Sequence, residues 1–235
     1  MVRFPTFNRF LKVLLSLLTA AYVLLVIAES WAGVPVVGLL ALRPGEPGFW
    51  TLWQVFTYPF IFHPGPNGVG SFLITLLFTY LVYGDFQASF GTRRAVQLAV
   101  LVTLVCAGAT LIVAPLTGSR ELLHGFDVIS WGALACVAWL ARHRPISLFG
   151  AIPLKGGEQL LMLLAGLALL FFLVSKSVVG VVSQLAALGA GVLFARLMSQ
   201  GFGTPRRGPS KKKGGGKRFD VIPGGKSGNG QHWLN

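Results

Sequence analysis

Six apolar runs, almost free of charge, divide the first two hundred residues of this sequence. A backbone clothed this way is at home in a bilayer rather than in water. Only 11% of the 235 residues are charged, against 54% that are hydrophobic, whereas a soluble domain usually carries about twice that charge. The runs predict helical spans over residues 10–28, 69–83, 95–116, 126–141, 157–174 and 178–198. The second and fourth are short, near the lower limit for crossing an average hydrocarbon core. Only Ser175, Lys176 and Ser177 separate the last two. One continuous helix there would be about twice the bilayer thickness, so a tight helical hairpin is expected. The first run is too long for a signal peptide, and Ala28-Glu29-Ser30-Trp31 makes a poor cleavage site, so it reads as a retained helix. A connector over residues 30–68 holds Trp31, Phe49, Trp50, Trp53, Tyr58, Phe60 and Phe62. Such aromatics favour the membrane interface, so this connector is expected to lie half-sunk in the bilayer.

The cations alternate across the spans. Arg3, Arg9, Lys12, Arg93, Arg94, Arg142, Arg144, Lys155 and Arg196 fall on one side, and only Arg43, Arg120 and Lys176 on the other. Lys and Arg mark cytoplasmic connectors, so both termini are expected in the cytoplasm, with a bacterial inner membrane as the expected location. Residues 1–200 then form one transmembrane domain and 201–235 a disordered tail. Arg206, Arg207, Lys211, Lys212, Lys213, Lys217 and Arg218 stand there among Gly, Pro and Ser, a composition that builds no core. The expected partner of this tail is the anionic headgroup layer, where each charge contributes about 1 kcal/mol. Nucleic acid is not expected, despite a net charge of +13, because aromatic residues for base stacking are nearly absent from the basic cluster. Gly225-Lys226-Ser227 lacks the leading glycine and the strand–helix frame of a phosphate loop. Cys106 and Cys136 sit inside apolar segments without further ligands nearby, so neither a metal nor a cofactor is expected.

Three short motifs carry a resemblance. Trp53-Gln54-Val55-Phe56-Thr57-Tyr58-Pro59-Phe60 is similar to the Trp-Arg-Leu-x-Thr-x-x-Phe signature of rhomboids, intramembrane serine proteases, at the end of their long first connector. Gln87-Ala88-Ser89-Phe90-Gly91-Thr92-Arg93-Arg94 resembles the Glu-x-x-x-Gly-(Ser/Thr)-x-Arg turn after the second rhomboid helix. Leu148-Phe149-Gly150-Ala151-Ile152-Pro153-Leu154-Lys155 is similar to the Phe-x-x-Ile-Pro-(Val/Leu)-Lys segment that leads into the fifth. The resemblance spans residues 8–198 and implies an all-α membrane protein: a six-helix rhomboid-like bundle with a long interfacial first loop.

The resemblance also implies where chemistry would sit, and there the sequence departs from the family. The family's nucleophile, in Gly-x-Ser-Gly at the start of the fourth helix, falls on Ser130, but bulky Val128 and Trp131 replace the glycines. The histidine of the sixth helix falls on Gln184, a carboxamide that hydrogen-bonds but takes up no proton near neutral pH. The second helix's His-x-x-x-Asn falls on Ser71 and Thr75, or on Phe72 and Leu76 one residue along. Without a base a serine stays a weak nucleophile. His124, counted back along a helix, points away from Ser130, and His63 belongs to the substrate-side rim. Asp127 reads as the N-cap of the fourth helix. The implied function is that of a pseudoprotease, similar to derlins and inactive rhomboids, whose partners are transmembrane segments of client proteins. Ser71, Thr75, Ser130, Ser183 and Gln184 are the candidate client contacts, while Ala187, Gly191 and Ala195 let the sixth helix close on Gly132 and Ala133. The alternative is an active intramembrane serine protease using Ser130 with a displaced base. A small transporter or channel is a third reading, disfavoured by the lack of a chain of ionisable groups or of matching broken helices.

Overall fold

A computed structural model describes residues 8–64, 66–148 and 152–200. Two units divide the chain, Met1–Phe202 and Gly203–Asn235, and every described residue belongs to the first. The basic tail lies outside the described residues. The chain is a multi-pass, helical integral membrane protein. Among the described residues five helical stretches are long and apolar enough to cross a membrane: Arg9–Ser30, Gly68–Phe90, Thr92–Thr117, Gly157–Ser175 and Val178–Ser199. The elements in chain order are α1 (Arg9–Ser30), α2 (Val36–Leu40), α3 (Thr51–Thr57), a 3₁₀ turn (Tyr58–Phe60), α4 (Pro66–Phe78), a π-turn (Thr79–Tyr83), α5 (Gly84–Phe90), α6 (Thr92–Thr117), α7 (Asp127–Leu140), β1 (Ile146–Leu148), β2 (Ile152–Leu154), α8 (Gly157–Ser175) and α9 (Val178–Ser199). β1 and β2 form a short antiparallel hairpin between α7 and α8.

The second span is longer than the sequence predicts. α4 runs through the π-turn into α5, so one helical stretch extends to Phe90. The change from apolar residues to Gly84 and Asp85 reads as a stop, yet Phe86 and Gln87 beyond it are buried and keep the helix docked. The stretch ends where Gly91 adopts a φ of 85°, a conformation that favours glycine. Gln87 holds that end from inside: its Nε2 donates to Thr92 Oγ1 at 2.9 Å.

α7 remains short. Its 14 residues rise about 21 Å, against a hydrocarbon core of about 30 Å. Buried side chains cover most of its circumference, including Val128, Ile129, Ser130, Ala133, Ala135, Cys136 and Ala138. It is the inner helix, packed on α6, α8 and α9. Small residues permit this closeness. A Cβ on Gly191 would run into the Gly132 carbonyl, and one on Gly132 would stand 2.5 Å from Val102 and 3.3 Å from the Ala187 carbonyl. Helix packing in lipid draws on such backbone approach rather than on a hydrophobic drive. At the far end of α7, the Trp139 ring lies between the Arg142 and Arg196 guanidinium groups, 4.9 and 4.6 Å from their carbons.

The long first connector is pinned by the Trp-Gln-x-x-Thr motif. Trp53 Nε1 and Gln54 Nε2 donate to the Leu39 carbonyl, at 3.1 and 3.2 Å. Thr57 Oγ1 donates to the Leu40 carbonyl at 2.6 Å, and Gln54 Oε1 accepts from the Arg43 N–H. Two-way backbone bonds between Leu42 and Leu123 stitch this connector to the one before α7. Its aromatics divide by role. Tyr58 and Phe62 are buried, while Trp31, Phe49, Trp50 and Phe56 are exposed, as residues facing an interface would be.

Candidate functional site

A space lies at the first turn of α7. A cavity of about 570 Å³ occupies it. Asp127 and Val128 of α7 line it, together with residues 122–125 of the connector before α7 and Phe62 and His63 from the end of the first connector. α4 contributes Ser71 and Thr75, and α9 contributes Ser183 and Gln184. Ile74 on α4 and Phe171 on α8, both largely exposed, also line it, so the cavity is open on the side where these two helices stand.

Several local devices hold this rim. Gly68 lies so close to the His63 carbonyl that a Cβ would collide with it. Behind it Tyr22 and Phe72 stack with centroids 4.1 Å apart, which turns Ser71 and Thr75 rather than Phe72 toward the cavity. Glu121 Oε2 accepts from Ser177 Oγ at 2.7 Å and from the Val179 N–H at 3.2 Å. Ser177 Oγ in turn accepts from the Gly180 N–H. The start of α9 is thereby capped and tied to the connector before α7, as an acid at a helix N-terminus favours.

Of the five residues proposed from sequence as client contacts, Ser71, Thr75, Ser183 and Gln184 come together around the cavity. Ser130 is not among the lining residues. It is fully buried one turn further along α7, and its Oγ has no hydrogen-bond partner. Among the described residues no imidazole is therefore hydrogen-bonded to that hydroxyl. Ser183 Oγ is engaged by the Gly180 carbonyl at 2.7 Å.

Two further readings of the sequence need correction. Asp127 is not the cap of α7: Phe126 occupies that position, and Asp127 is the first helical residue. Its carboxyl group lies over Gly125, where a Cβ would stand 2.6 Å from Oδ1. Gly125 has a φ of 102°, so glycine is favoured there on both counts. His124 does not lie on the helix, because α7 has not yet begun. It faces the cavity with His63, the two rings nearly parallel at 21° and 6.3 Å apart. Burial, and next the neighbouring His63, lower the His124 pKa from its ordinary value. Among the described residues no group of three His, Cys, Asp or Glu side chains is placed to share a metal ion.

Gln184 is the most informative lining residue. It is 7% exposed and its Oε1 has no hydrogen-bond partner. A buried acceptor left unpaired costs about 1–3 kcal/mol. The site therefore holds a carboxyl group, a carboxamide, hydroxyls, two imidazoles and apolar walls beside two exposed apolar residues, with no serine–imidazole hydrogen bond among the described residues. No protein-family model and no curated protein matches the chain.

Proposed function

We propose that this protein is a rhomboid-like pseudoprotease that holds transmembrane segments of client proteins without cutting them. The observation that carries this reading is a cavity reached beside α4 and α8 and lined by hydroxyl and carboxamide groups, in which, among the described residues, no serine is hydrogen-bonded to an imidazole. An unwound or polar stretch of a client helix could satisfy its backbone there, where lipid would leave it unpaired. Each such hydrogen bond is worth about 1 kcal/mol. The bilayer thinning expected of two short spans finds no support: α4 runs on into α5, and the short α7 is enclosed by α6, α8 and α9 rather than by lipid.

A rhomboid frame shifted by three residues is a second way to lay the motif on α7: Gly125-Phe126-Asp127 then stands for Gly-x-Ser, Val128 departs from the glycine that should follow, and Asp127 falls in the nucleophile's place with Gln184 in the base's. In that frame a carboxyl group stands where the family has its nucleophilic hydroxyl, so the family's serine–histidine chemistry is not available at this position. In this reading α7 is the fourth of six spans, both termini are cytoplasmic, and the cavity opens from the other face. Photoreactive benzoylphenylalanine in place of Ile74 tests it. In native membranes it should capture transmembrane proteins that the same probe at Val13, on the exposed face of α1, does not. Equal capture from both positions would contradict client binding at the cavity.

A further inference from the structure

The cavity's polar groups are unevenly matched, and the mismatch identifies a chemistry. Gln184 Oε1 is an acceptor with no donor, more than nine-tenths buried on the cavity wall. Asp127 faces the same space, and no Lys or Arg is among the described residues that line it. The ion pairs of Arg120 with Glu46 and of His143 with Glu158 lie elsewhere. Ser71 and Thr75 add hydroxyls, and His63 and His124 add imidazoles, all of which accept as readily as they donate when neutral; none of them pairs with Gln184 Oε1. A ligand that completes this set has to bring donors. An apolar side chain would leave Oε1 unpaired, and a carboxylate would also meet Asp127 with like charge. An ammonium or guanidinium group is donor-only and positively charged, and satisfies both.

We infer that the cavity selects client segments carrying a lysine or arginine near their non-cytoplasmic end. This rests on the client-binding reading above and names its ligand. Such a residue is costly inside a single helix surrounded by lipid and pairs when it can. The opening beside Ile74 and Phe171 gives it a route from the bilayer. Thr75 lies nine residues beyond the start of α4 at Pro66, so the cation is expected roughly two and a half helical turns, about 13.5 Å, below the client helix's outer end.

The test uses the full chain in proteoliposomes, with benzoylphenylalanine in place of Phe171. The probes are synthetic Leu/Ala transmembrane peptides with one Lys, Arg, Leu or Glu at that depth. Photocapture of the Lys and Arg peptides should exceed that of the Leu and Glu peptides by about tenfold, the equivalent of one charge-assisted hydrogen bond. Asp127→Asn should abolish the preference and Gln184→Leu should reduce it, while Leu173→Ala on the exposed face of α8 should leave it intact. Asp127→Lys should move the preference to the Glu peptide, an outcome that a misfolded variant cannot produce. Equal capture of all four peptides by the unaltered protein would overturn the inference while leaving client binding in place. A Lys preference that survives both Asp127→Asn and Gln184→Leu would overturn it too. Capture of none of the peptides would remove both the inference and the reading beneath it.

Discussion

Ser130 is buried on α7 with its hydroxyl unpaired, one turn from a cavity it does not line. A serine hydrolyses amides only when a base takes its proton and donors hold the oxyanion. Neither requirement is met at Ser130, so fluorophosphonate probes should not label the purified protein. Putting histidine at Gln184 should not change that, because the new imidazole would face the cavity while Ser130 Oγ does not. Labelling that appears in Gln184→His and disappears on adding Ser130→Ala would contradict this placement. At this scale the sequence is a partial guide. Ser71, Thr75, Ser183 and Gln184 are legible through the rhomboid resemblance, which assigns them to faces that meet inside the bundle. Asp127 passes for a cap, because an acid just before an apolar run is the ordinary capping pattern. The true cap, Phe126, carries no such signal. His124 is misplaced for the same reason: counting a helix back from Ser130 runs through residues that form a connector bent at Gly125.

Among the elements, α7 and α9 form the contact on which the bundle depends most. Gly191 touches the Gly132 carbonyl with no space for a Cβ. Gly191→Leu should therefore force the helices apart and destabilise the protein by about 1–3 kcal/mol, the usual cost of overpacking. Thermal unfolding in detergent would show it as a lowered midpoint. Leu at Gly166, where a Cβ meets nothing within 4 Å, should leave the midpoint unchanged. An unchanged midpoint in Gly191→Leu would show that the two helices do not pack this closely. Helix limits are legible to within a few residues wherever an apolar run ends in Gly, Pro or charge. They fail at Tyr83, where the helix continues as a π-turn and then a turn whose buried side chains, Phe86 and Gln87, are interleaved with polar ones. Tertiary burial there overrides the local change in hydropathy. The short hairpin of β1 and β2 leaves no trace in the pattern, since three-residue strands give too brief a period to detect. The connector's clamp is visible only as a motif. That Trp53, Gln54 and Thr57 bind the carbonyls of Leu39 and Leu40 requires the fold, because the partners lie 14 to 17 residues away.

For the whole molecule, the orientation we propose rests on charge: in a six-span arrangement Arg93, Arg94, Arg142, Arg144 and Arg196 would fall on one side and Arg43, Arg120 and Lys176 on the other. Reporter fusions after Gly118 and Gly201 should therefore read opposite sides, and the same side for both would exclude the six-span arrangement. In the proposed orientation the cavity, the start of α9 and the connector before α7 would all face away from the cytoplasm, where an arriving client helix would present its outer end. A cavity that holds such a helix without cleaving it leaves a signature in the mass of a captured client. Protein carrying the photoprobe at Ile74 is reconstituted with a labelled transmembrane substrate of active rhomboids, incubated, illuminated and weighed. The expected product is an adduct equal to the two intact masses, with no released fragment at any incubation time. A fragment that accumulates with time and vanishes in Ser130→Ala would instead mark the protein as a protease.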